Sequence, residues 1–198
     1  MFKFISSWDD GRKEDIGLSM MLKQFKIPAI FFIPSNCQLT EGQIKDLSKH
    51  FGIGGHTQSH PEDMKLLSSE RQFDEIRDNK VWLEKIVGKE LEWFCYPSGR
   101  YNEITIEAVK RAGFKYARTV VPLCISKPID NFRIATTIHV HPNKREYEER
   151  NWIDVAKEYY QKAKKEEGLF HLWGHSFELE KYQIWEELDD FLKFVSEN

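Results

Sequence analysis

The sequence predicts an α/β protein in which about seven parallel strands alternate with helices, arranged as a barrel or as an open doubly wound sheet. Short apolar runs rich in branched and aromatic residues alternate with longer runs of helical spacing. Nothing in the 198 residues reads as a repeat, a low-complexity tract or a proline-rich linker. A single domain over residues 1–198 is therefore expected. Apolar residues make up 40% and charged residues 31%, which places the chain well above the range in which low hydrophobicity and high charge prevent folding.

The first strand is FKFIS (2–6), and a helix follows over Asp15 to Phe25 with Ile16, Met20 and Phe25 on one side. AIFFI (29–33) is the second strand, and the helix from Thr40 to His50 opens with a capping box formed by Thr40 and Gln43. After FGIGG (51–55), the longest helical run, Ser69 to Val87, carries Phe73, Ile76, Leu83 and Val87 at steps of three and four, and Gly88 stops it. EWFCY (92–96) leads to a helix capped by Asn102 and ending at Gly113. KYART (115–119) and FRIATTIHV (132–140) are the next strands. A helix over Asp154 to Lys165, the strand GLFHLW (168–173) and a helix over Lys181 to Val195 complete the chain.

Charge and composition exclude several function classes. Lys and Arg number 29 against 32 Asp and Glu, a net charge of -3 with no basic block, so no nucleic-acid partner is expected. The opening MFKFISSWDDG has one lysine and two early carboxylates, which fits neither a secretory signal nor a membrane span. Cys37, Cys95 and Cys124 are odd in number and lack a close-spaced pair, so neither a disulfide framework nor a thiolate zinc site is indicated. A reducing, cytoplasmic setting is the expectation.

In either architecture, ligands sit where strands end and loops lead toward helices. Four groups of reactive residues fall at such positions. The first strand runs into Asp9 and Asp10, neighbouring carboxylates that call for a cation nearby if both are ionised. The third runs into His56 and His60, which share a face if the segment is helical and can then hold a divalent metal. The fourth delivers Tyr96, Pro97, Ser98, Gly99 and Arg100, a tight turn. The last carries His171, Trp173 and His175 on one face. Each group alone has a bland reading as a solvated turn or a structural histidine. Together they supply one carboxylate and two imidazoles for zinc or a similar ion, with a second carboxylate left to act as a base.

The elements SWDDG, GGHTQSHP, CYPSGRYN and LFHLWGHS, in this order, resemble those of the polysaccharide deacetylase family, the NodB-homology group or carbohydrate esterase family 4. The resemblance implies a distorted, incomplete (β/α) barrel and metal-dependent hydrolysis of N-acetyl groups on a carbohydrate substrate. Carried over by position, Asp10, His56 and His60 hold one divalent ion, with zinc expected and cobalt or nickel as alternatives, and Asp9 is the base. Tyr96, Pro97 and Gly99 belong to a motif that lines the acetyl pocket and lends a backbone N–H to the oxyanion. His175 is the general acid, with His171 as fallback.

The chain departs from the family pattern at three places, the mildest being Trp8 in place of the more usual phenylalanine. Cys95 stands where many members carry an arginine that holds the catalytic aspartate, and Arg100 is the expected substitute. No Asp-Ser-x-x-Asp-Trp motif appears near Ile129 to His141, so no partner for the acid histidine is assigned, although His139 and His141 lie near the expected mouth. These departures leave two rivals to consider: a hydrolase of non-sugar amides such as cyclic ureides or imides, and a carbohydrate-binding pseudoenzyme.

Overall fold

The computed structural model describes all 198 residues. Seven strands alternate with helices: β1 (Lys3–Asp9), α1 (Asp15–Gln24), β2 (Ala29–Ile33), α2 (Glu41–Leu47), β3 (Gly52–Gly55), α3 (Ser69–Val87) and β4 (Trp93–Cys95). There follow α4 (Glu103–Arg111), β5 (Tyr116–Arg118), β6 (Ile138–His139), α5 (Trp152–Lys165), β7 (Leu169–Gly174), α6 (Ser176–Tyr182) and α7 (Trp185–Glu197). The strands form one sheet in the order β5-β4-β3-β2-β1-β7-β6, and every pairing is parallel. Between the two edges lies a single isolated bridge, Arg118 to Ile134, in place of a full ladder. The sheet is a distorted, incomplete (β/α) barrel, and all strands end at the same mouth.

Local chemistry explains why the elements start and stop where they do. The Thr40–Gln43 capping box opens α2, and Asn102 and Thr105 form another at α4. Gly88 ends α3 in the left-handed conformation at φ +72°, where an L side chain is strained. β3 can lie against β2 only because it is built from glycine: a Cβ on Gly54 would meet the Phe32 ring at 2.5 Å. The interior fills with large side chains, among them Trp8, Phe31, Phe32, Phe94 and Phe170, each fully buried. Burial of each such residue contributes about 1.5–3 kcal/mol, so the strand ends stand on a rigid base.

Two elements differ from the sequence expectation. The run 132–140 is not one strand, and only Ile138–His139 pairs with β7. Its first half turns the other way: Thr119 N–H donates to Ile134 O at 2.8 Å and Thr136 N–H to Val121 O at 2.9 Å. An apolar run shows that backbone groups need partners without showing on which side. The helix expected over Lys181 to Val195 is broken at Gln183 (φ +55°), which separates α6 from α7. No helix is long and apolar enough to cross a membrane.

Candidate active site

Asp10 follows directly on β1 with φ +81°, while its N–H donates to Phe32 O at 3.0 Å. That left-handed step turns its carboxylate toward the loop after β3. His56 and His60 are not on a helix. They sit in an irregular loop whose Thr57 and His60 are also left-handed, at φ +68° and +52°. Non-glycine residues held this way cost on the order of 1–3 kcal/mol each, so the surroundings must impose the conformation. Helix α3 does so: Asn79 Oδ1 accepts from His56 N–H at 2.9 Å, and Glu75 accepts from both the N–H and the hydroxyl of Ser59 at 2.8 Å.

His56 Nδ1 lies 2.8 Å from Cys95 O, a carbonyl that only accepts, so Nδ1 carries a proton and Nε2 is the atom turned toward Asp10. Against burial, the Cys95 contact and the Asp10 and Asp9 carboxylates raise the His56 pKa, and Nε2 offers a lone pair once it is deprotonated. That Nε2 is 3.6 Å from Asp10 Oδ1, and His60 Nε2 is 3.4 Å from the same oxygen. These separations are too long for good hydrogen bonds. They match the ~3.4 Å spacing of ligand atoms around a tetrahedral ion with bonds of ~2.1 Å. Asp10 Oδ1 is buried and has no hydrogen-bond partner. An orphaned carboxylate oxygen facing two imidazole nitrogens fits a divalent cation. Burial alone would raise the Asp10 pKa, but His56, His175 and His60 outweigh it and hold the carboxyl below the usual range.

Asp9, the last residue of β1, is buried. Its Oδ2 is paired with the guanidinium of Arg118 from β5, while its Oδ1 has no partner. Burial works against ionisation, but Arg118, followed by His56 and His175, lowers the Asp9 pKa. Arg118 is fully buried between the rings of Trp173 and Phe32, at 4.6 and 5.3 Å from their centroids. The expectation that Arg100 holds this carboxylate is incorrect. Arg100 is exposed, because the turn after β4 carries it past the mouth.

His175 follows β7, and its Nδ1 lies 2.8 Å from Glu178 Oε2. The same oxygen is 2.8 Å from His139 Nε2, and His141 Nε2 is 3.7 Å from Glu178 Oε1. The two nearer histidines are shifted in opposite directions. Burial pushes His139 down to about 3 despite Glu178, so it is neutral. For His175 burial is outweighed by the Glu178 hydrogen bond and by Asp9, and its pKa is raised. Glu178 is therefore the partner of His175 that the sequence left unassigned.

The third-motif residues divide. Tyr96 N–H donates to Arg118 O, Gly99 N–H to Tyr96 O and Arg100 N–H to Pro97 O, and Pro97 has no N–H to offer. Ser98, at φ +53° on the cavity wall, is the one whose amide is left without an acceptor. Tyr96 lines the cavity, but its hydroxyl donates to Phe132 O at 2.9 Å. Gly99 shapes the turn, since a Cβ there would meet Val120 Cγ2 at 2.2 Å. His171 lies within β7, fully buried, with Nε2 2.9 Å from Ser7 Oγ. Burial, with Arg118, lowers its pKa to about 3. It is neutral and does not reach the cavity, so its place as fallback acid is not supported by its position.

Asp9, Asp10, His56, His60, His175 and Glu178 thus meet around one cavity of ≈ 370 Å³ at the mouth of the barrel. This constellation at the mouth of a parallel (β/α) barrel includes Asp10, His56 and His60, three side chains that could hold a metal ion. The polysaccharide deacetylase family model matches residues 4–117, more than half of the chain, and the chain belongs to that family. It is 29% identical over 128 residues to YxkH of Bacillus subtilis (strain 168), whose name places it among polysaccharide deacetylases. That match covers 61% of this chain and 46% of YxkH, so the chain spans about half the length of that relative.

Two solved structures share the fold. A Mycobacterium smegmatis protein assigned to the polysaccharide deacetylases matches with a TM-score of 0.74 at 13% identity, over 98% of this chain and 84% of that one. BA3943 of Bacillus anthracis, a pseudoenzyme of carbohydrate esterase family 4, matches with a TM-score of 0.66 at 16% identity, over 98% and 60%.

Proposed function

We propose that this chain is a metal-dependent N-deacetylase that hydrolyses the N-acetyl group of an amino-sugar substrate, an oligo- or polysaccharide or a linked sugar, to acetate and a free amine. The observation that carries this is the division of labour around one cavity. Asp10, His56 and His60 face one another at metal-ligand spacing, Asp9 keeps one oxygen free, and His175 is anchored through Nδ1 on Glu178, which raises its pKa.

Asp10, His56 and His60 would hold the ion, which when bound supplies Lewis acidity to water and to the acetyl carbonyl. Zinc suits this set of one carboxylate and two imidazoles, and cobalt and nickel accept the same donors. Asp9 acts as general base: Oδ2 is fixed by Arg118 and Oδ1 takes the proton as water adds to the acetyl carbon. The Ser98 N–H donates to the oxygen on which negative charge develops. His175, with Nδ1 anchored on Glu178, donates a proton from Nε2 to the sugar nitrogen as the C–N bond breaks. Water is consumed, and acetate and amine leave.

Arg118 beside Asp9 and Glu178 beside His175 support turnover over the pseudoenzyme reading, because they stand where an arginine and a partner for the acid histidine are needed. The test is acetate and amine release from N-acetylglucosamine oligomers, linked amino sugars and cyclic imides by zinc- or cobalt-loaded protein. Stoichiometric acetate from a sugar substrate, abolished by chelation and restored by metal, is expected. Sugar binding without acetate release from metal-loaded protein contradicts the proposal, and turnover of imides alone moves the assignment to non-sugar amides.

A further inference from the structure

Cys95 and Arg118 are Cα register partners on the adjacent parallel strands β4 and β5, so their side chains leave the sheet on the same face. Both arrive at one carboxylate. Cys95 Sγ is 3.7 Å from Asp9 Oδ2, and Arg118 Nη2 contacts that oxygen and also lies 2.8 Å from Cys95 Sγ. All three residues are buried: Asp9 is 3% exposed, and Cys95 and Arg118 are 0% exposed. The space beside Asp9 therefore holds one guanidinium and one small side chain, which two register positions supply between them.

We infer that positions 95 and 118 form a single arginine site, in which either strand can provide the guanidinium that positions Asp9 provided the other supplies a small residue. Arg118 is a positioning residue, acting through Asp9. Its kinetic consequence rests on the deacetylase reading, whereas the exchangeability of the two positions does not.

Charge balance and volume make opposite demands on the two single variants. In Arg118→Cys the Asp9 carboxylate stays buried and loses the guanidinium in contact with it, and removal of one member of a buried pair is strongly destabilising. Cys95→Arg places two guanidiniums against one carboxylate in a space built for one, so it is overpacked and carries an unpaired charge. In Cys95→Arg/Arg118→Cys one cation and one thiol are again present. Each single change is thus harmful and the pair is compensating, a pattern that independent structural roles do not produce.

The test is a double-mutant cycle on the full chain, read by urea midpoint and, with zinc-loaded protein, by acetate release. Both single variants are expected to lower the midpoint, and the double variant is expected to regain more than half of the loss of the worse single. Arg118→Cys is expected to lower kcat roughly 10²-fold, as displacement of a reacting group does, with KM within about twofold; the exchange recovers at least tenfold of that. If the double variant is no better than the worse single, the inference is overturned. Should the cysteine variants fail to fold, Arg118→Lys against Arg118→Met decides it: Lys must keep the higher midpoint, and equal losses overturn the inference. Absence of acetate release by the wild type refutes the deacetylase reading while leaving the midpoint cycle to decide the exchange.

Discussion

Glu178 is the residue whose replacement probes the acid step most sharply. One of its oxygens lies 2.8 Å from both His175 Nδ1 and His139 Nε2, so Glu178→Gln keeps the shape and one acceptor while removing the charge. A hydrogen bond to a charged group contributes about 1.5–3 kcal/mol and a neutral one about 0.5–1.5 kcal/mol, so the change withdraws roughly 1–2 kcal/mol from the imidazolium form. At ~1.4 kcal/mol per factor of ten, the protonated share of His175 relative to the neutral form falls about 5- to 30-fold at a given pH. The sign follows from the raised His175 pKa: the acid is present at low pH and lost as pH rises through its pKa. In kcat/KM for acetate release against pH, the alkaline limb of Glu178→Gln therefore moves to lower pH while the acidic limb stays in place. A uniform drop at all pH values, or an unmoved alkaline limb, refutes the assignment of Glu178 and His175 as an acid dyad.

Further outcomes are expected. Asp9→Asn retains one bound ion per chain and loses acetate turnover, whereas His56→Ala loses both; metal analysis of the purified variants with the same assay separates them, and normal turnover by Asp9→Asn removes the proposed base. His175→Ala lowers kcat roughly 10²- to 10⁴-fold. His171→Gln leaves the alkaline limb in place and lowers the urea midpoint, because His171 holds Ser7 in the interior and does not face the cavity. Asp15 is fully buried with neither carboxylate oxygen hydrogen-bonded, and burial raises its pKa to about 7. A carboxyl raised in the fold contributes stability below its unfolded pKa and loses it as pH rises through about 7. Asp15→Asn should therefore gain on wild type by on the order of a few kcal/mol between pH ~4 and ~7, and a pH-independent difference in urea denaturation would count against this.

The residues legible in the sequence are those whose position is fixed by a strand end. Asp9 ends the first strand, Asp10 follows it, and His56, His60 and His175 lie in the segments that leave the third and last strands; a parallel sheet brings such ends together whatever the loops do. The loop presentation of the His pair was not legible, because Thr57 and His60 adopt left-handed backbone that side-chain type does not announce. Ser98 escaped for the same reason: only the turn geometry shows which amide is left over. Arg118 ends β5 as Asp9 ends β1, but the run KYART reads as strand through Thr119, which places Arg118 inside the element and outside the strand-end rule. The available signal was a charge within the apolar run KYART, which demands a buried counter-charge. Glu178, three residues beyond His175, stood at a spacing that brings side chains together once a helix begins there.

Whether Asp10, His56 and His60 jointly hold one cation is decided by titration of metal-free protein with Co²⁺, followed by its visible absorption and by calorimetry. One site per chain is expected, with the spectrum of a low-coordinate ion on nitrogen and oxygen donors, abolished in Asp10→Ala and weakened at least tenfold in His60→Ala. Absence of stoichiometric binding, or binding of undiminished affinity after all three ligands are replaced, contradicts joint coordination.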